Sequence, residues 1–97
     1  MQIGVCRISL MLPENHSLKG KRQVIRSLTD RVRQRFNVAV AEVDDNELWQ
    51  RVTLGISCVS NDASHANEML SEVVAYIERD RGDLELLDYQ VEILSGP

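Results

Sequence analysis

Apolar and polar positions divide this chain into six segments. Over residues 3–12, Gly4, Cys6, Ile8 and Leu10 alternate with Ile3, Val5, Arg7, Ser9 and Met11. A period of two with one fully apolar face is that of a strand lying on a core. Pro13 through Ser17 breaks the alternation and predicts a loop. From 18 to 36 the period changes. Leu18, Val24, Ile25, Leu28, Val32 and Phe36 recur at helical spacing, Ser17 is a good N-cap and Asn37 a plausible stop. Residues 38–44 and 51–60 alternate again, joined by the acidic turn Asp44-Asp45-Asn46-Glu47, which predicts a hairpin. Ala66, Met69, Leu70, Val73 and Ile77 form the apolar stripe of a second helix over 63–80, capped by Asp62 or Ser60 and stopped by Gly82. A last strand spans 84–94, with Leu87, Tyr89, Val91 and Ile93 opposing Asp88, Gln90 and Glu92.

The order is β-α-β-β-α-β. Two helices, each with one apolar stripe, cover one face of a four-stranded antiparallel sheet and bury every apolar surface together. The predicted architecture is therefore an α+β, two-layer ferredoxin-like sandwich with the first and third strands central. The 97 residues make one domain, 1–97, with room for a core of its own. No apolar run approaches the ~18 residues of a membrane span. The amino terminus lacks the basic and small-residue features of a secretory signal, and Cys6 and Cys58 lie in strand-like runs without a motif. These features predict free thiols and a cytoplasmic location.

The net charge of −4 hides an asymmetry: residues 1–36 carry +6 and residues 37–97 carry −10. Most of the excess positive charge lies on the first helix. At 100° per residue, Lys19, Arg22, Arg26 and Arg33 fall within roughly 60° of one another, a basic stripe beside the apolar one. Arg31 and Arg35 lie on the other flank, and Lys21 near the buried edge.

This placement breaks two local rules. Lys19, Lys21 and Arg22 stand in the first turn, where the helix dipole favours anions. Arg22 with Arg26, and Arg31 with Arg35, are like-charge pairs four apart, each costing about 0.2–0.5 kcal/mol. Unrelieved local penalties mark functional surfaces. Lys19, Lys21, Arg22, Arg26, Arg33 and Ser17 are thus the candidate anion-binding or nucleic-acid-binding residues. The competing explanation is a solvated face whose charges meet the acidic second half of the same chain. Trp49 and Arg51 offer a base contact, although a lone tryptophan in a hairpin more commonly closes over the core. The open sheet face has Arg7, Ser9, Thr53 and Ser57 but lacks the aromatic pattern of sheet-face RNA readers.

No Gly-rich phosphate loop, His-Glu-x-x-His or paired-cysteine motif occurs, and no nucleophile with a base accompanies the cations. The sequence therefore predicts no enzyme, no cofactor and no metal. RNA is the expected partner. The alternative is a protein-interaction module or homodimer that uses the open sheet face or a free edge strand and has no nucleic-acid role, and no membrane partner is expected.

Several stretches carry a family resemblance: Gly4-Val5-Cys6-Arg7, His16-Ser17-Leu18-Lys19 with Lys21-Arg22, Arg35-Phe36-Asn37-Val38-Ala39-Val40-Ala41-Glu42-Val43, Leu48-Trp49-Gln50-Arg51, Leu54-Gly55 and Val59-Ser60-Asn61-Asp62. Over essentially its whole length the chain resembles the bacterial YlxP-like family. The resemblance implies a ferredoxin-like fold and little about activity, since that family is a domain of unknown function. Its members are often encoded near translation and ribosome-maturation factors, which implies a role around ribosomal RNA. Where the family usually has an acid after Ser-Leu-Lys, this chain has Gly20.

Overall fold

The computed structural model describes residues 1–80 and 82–97. The elements follow the predicted order: β1 (Gln2–Met11), α1 (Leu18–Arg35), β2 (Ala39–Asp44), β3 (Arg51–Ser60), α2 (Ala63–Asp80) and β4 (Glu85–Ser95). The sheet runs β2-β3-β1-β4, every pair antiparallel, so the first and third strands are central. Both helices lie on one face.

The alternation seen in the sequence is what builds the core. Cys6, Ile8 and Leu10 of β1 face the same side as Val52, Leu54, Ile56 and Cys58 of β3, and all are buried. Leu28 and Val32 of α1, and Ala66, Leu70, Val73 and Ile77 of α2, close over them. Gly4 lets α2 come this close: a Cβ there would stand 2.9 Å from Leu70 Cδ1 and 3.0 Å from Cys58 Sγ. Burial pushes the Cys6 thiol up to about 11, and both cysteines are free.

Two β-bulges alter the predicted faces. In β4, Ser9 pairs with Asp88 but Leu10 with Leu86, so Leu87 is the extra residue. Leu86 takes the core-side position expected of Leu87, which is left exposed. In β2, Val43 is the extra residue between Glu42 and Asp44. It turns onto the open face, over Gly55, where it too is exposed.

The caps follow local chemistry. Ser17 is extended, and its Oγ accepts the Gly20 N–H at 3.0 Å. Asp62 Oδ1 accepts the Ser64 N–H at 2.8 Å at the start of α2. Helix α1 ends one residue early, on Phe36 rather than Asn37. Among the described residues no helix is long and apolar enough to cross a membrane.

Candidate nucleic-acid interface

Ion pairing sorts the cations of α1 into two groups. Lys21 is the first to leave the expected set. Its side chain is 1% exposed and its ammonium points inward, donating to the Asp45 carbonyl at 2.6 Å. Glu42 Oε2 lies 2.8 Å away, near enough for charge attraction but off the line of a hydrogen bond. Lys21 therefore cannot meet an external phosphate. It ties α1 to the end of β2, as a buried cation must be paired.

Asp45 is the hub of this corner. Its φ of 60° is left-handed, a conformation aspartate tolerates better than most residues. Its N–H donates to Asp44 Oδ1 at 2.8 Å, and its Oδ2 accepts the Thr53 hydroxyl at 2.6 Å and stands 3.5 Å from Arg51 Nε. Asp44 in turn pairs with Arg7 at 2.7 Å. The Asp45 N–H and the Arg7 guanidinium hold the Asp44 carboxyl below the usual carboxylate range.

Three other expected ligands are engaged within the molecule. Ser17 uses its hydroxyl to cap the helix. Arg33 donates to the Val40 carbonyl at 2.7 Å and stands 3.5 Å from Asp30, so it tethers α1 to β2. Arg51 is the partner of Asp45. On the opposite flank, Arg31 meets Asp80 at 2.6 Å, and Arg35 lies 5.0 Å from the Tyr76 ring centroid. Acids of the second half thus neutralise Arg7, Lys21 and Arg31 of the first half, whereas Arg33 is held by a carbonyl and Asp30, and Arg35 by aromatic rings.

Lys19, Arg22 and Arg26 behave differently. All three are exposed, and among the described residues no carboxylate lies within ion-pairing distance of any of them. They occupy successive turns, with about 10 Å of helix rise between Lys19 and Arg26. The like-charge repulsion between Arg22 and Arg26 thus has no internal relief.

Trp49 does not close the hairpin over the core: it is 53% exposed. The loop before α1 fixes its position. Asn15 Nδ2 donates to the Trp49 carbonyl at 2.6 Å and to the Ser17 carbonyl at 2.7 Å, so one amide joins the hairpin tip to the start of the basic helix. Gln50 Nε2 adds bonds to the carbonyls of Pro13 and Asn15, at 2.8 and 3.1 Å. Gly20 belongs to this arrangement, because a Cβ there would collide with Asn15 Oδ1. Its small size makes room for the bridging amide. A separate groove of about 660 Å³, between the end of α1 and α2, is lined by Arg35, Phe36 and Arg79 and by none of Lys19, Arg22, Arg26 or Trp49.

Residues 3–91 match the model of a family described as "Protein of unknown function (DUF503)". The chain is 33% identical over 76 residues to "Uncharacterized protein YlxP" of Bacillus subtilis (strain 168), a match covering 78% of this chain and 83% of that protein. Among solved structures it is similar over the full length of both chains to "De novo designed protein Foldit4", with a TM-score of 0.52 and 15% identity, a likeness of fold alone. With a family match across nearly all of its length and a relative above 30% identity, the chain belongs to the DUF503 family of YlxP-like proteins.

Proposed function

We propose that this protein is a non-enzymatic RNA-binding factor that holds phosphates along Lys19, Arg22 and Arg26. The observation that supports this reading is the selective lack of partners. Neighbouring cations of the same helix are paired, stacked or tethered, while these three stand in solvent on one face. Such a row positions a phosphate backbone without reading base sequence. A protein of net charge −4 gains little from its overall field, so attraction to RNA must come from this local patch. A structured ribosomal RNA fragment is the first ligand to try, given the genomic setting of YlxP-like proteins. Binding should appear at low salt and fall at least about tenfold in Arg22→Glu/Arg26→Glu. No binding at low salt, or equal binding by that variant, removes the proposal.

A second reading has one observation in its favour. The sheet face without helices exposes Val43, Val59 and Leu94, with Val59 at 67%. A second copy of the chain covering this face would bury them. Light scattering across concentration decides: a dimer insensitive to salt supports this reading, and a monomer at all concentrations discards it.

A further inference from the structure

We infer that the RNA bound here is single-stranded at the contact, with one unpaired base stacked on Trp49 while the adjoining phosphates meet Lys19, Arg22 and Arg26. This rests on the RNA reading above and narrows it to a class of ligand. The hairpin tip forms a shallow depression of about 460 Å³ lined by Met11, Glu47, Leu48, Trp49, Gln50 and Arg51. Its walls are largely apolar, its one guanidinium is engaged with Asp45, and Glu47 is a carboxylate. A phosphate would be repelled there, whereas a flat neutral base finds an exposed indole and apolar surroundings. The basic row takes the opposite ligand, having charge and no aromatic. The Asn15 bridge joins the backbone of the tip at Trp49 to the start of α1 at Ser17, two residues before Lys19.

A nucleotide presents both halves at once, an anionic backbone and a stackable ring. In a duplex the ring is already stacked between its neighbours, so only an unpaired base can use the indole. The tip is also held in place before any ligand arrives. Leu12 N–H donates to the Gln50 carbonyl at 2.7 Å, and the Gln50 side chain grips the loop from the other direction. Little ordering of the backbone is then needed on binding.

Trp49 is the one tryptophan of the chain, so its fluorescence reports this contact directly. The full-length protein is titrated at low salt with a 12-nucleotide oligouridine and with a blunt RNA duplex of equal length. The single strand should quench the fluorescence and bind more tightly than the duplex. Trp49→Ala should weaken single-strand binding by at least about fivefold, the low end for base–aromatic stacking, without changing its salt dependence. Equal binding of both RNAs with unchanged fluorescence and no effect of Trp49→Ala overturns the stacking contact while leaving the phosphate row intact. If neither RNA binds at low salt, both the stacking contact and the phosphate row are overturned. A concentration-dependent fluorescence shift of the protein alone, matched by dimerisation in light scattering, assigns the indole to a protein contact and likewise overturns the inference.

Discussion

Replacing Lys21 by methionine should test how a lysine comes to be buried in this fold. Methionine keeps much of the side chain's length and apolar packing, so the change is mainly one of charge. The Asp45 carbonyl loses its 2.6 Å donor but keeps the Leu48 N–H at 3.1 Å, so it is not orphaned. Glu42 bears the loss. Its carboxylate is stranded beside the core with its cation gone. Removing one member of a buried pair typically costs about 3–5 kcal/mol. The Glu42 side chain retains 18% exposure, so water relieves part of this, and a cost of about 2–4 kcal/mol is expected. In a domain of this size that lowers the melting temperature by about 10–25 °C. Replacing both residues, Lys21→Met with Glu42→Leu, should recover most of the loss, because an apolar pair of similar volume is often neutral against a buried ion pair. Urea unfolding followed by far-ultraviolet circular dichroism suits the measurement, since exposed Trp49 is a poor reporter of the core. A cost below about 1 kcal/mol for Lys21→Met, or a double variant no better than the single, would refute this account of Lys21. So would a loss of RNA affinity without loss of stability, which would return Lys21 to the binding surface.

Three further outcomes are expected. Gly20→Ala should leave global stability within about 1 kcal/mol, because improved helix propensity offsets the disturbed Asn15 bonds; the fluorescence anisotropy of Trp49 should nonetheless decay faster as its tether loosens, and an unchanged decay would contradict the bridge. Asp44 has its folded pKa depressed below 3.8, so its stabilisation is present above that value and is lost as the pH falls through the folded pKa; urea midpoints between about pH 2 and 5 should fall less steeply in Asp44→Asn than in the parent. Cys6 and Cys58 should resist a thiol reagent at about pH 8 until urea unfolds the chain, since both are buried out of the reagent's reach and burial also suppresses the Cys6 thiolate; rapid labelling of the folded protein would contradict that.

The fold was legible because its strands and helices are amphipathic with clean periods. The faces of β1 and β3, and the stripes of both helices, follow from spacing alone. What spacing could not reveal depends on residues brought from elsewhere in the chain. A helical wheel sets Lys21 near the buried edge, but only the return of β2 supplies Glu42, and only the left-handed Asp45 supplies the carbonyl. The bulges at Val43 and Leu87 shift the strand pairing by one residue, and no local signal marks them, since both stretches keep apolar residues on either phase. The basic stripe was legible as a direction on the helix but not as a set of free charges. Arg33 shares that direction with Arg22 and Arg26, yet the Val40 carbonyl and Asp30 claim it. Trp49 was legible as a candidate base contact, while its exposure is decided by Asn15 and Gln50 holding the tip outside the core.

The most direct test of the binding account is the slope of log affinity against log salt for RNA binding by the unmodified protein. Three single-strand phosphate contacts give a slope of about −2, and reversing Arg22 and Arg26 together, which leaves Lys19, should flatten it to about −0.7 or less in magnitude. A flat slope for the unmodified protein, or an equal slope after reversal, would mean that these exposed charges on α1 do not hold RNA.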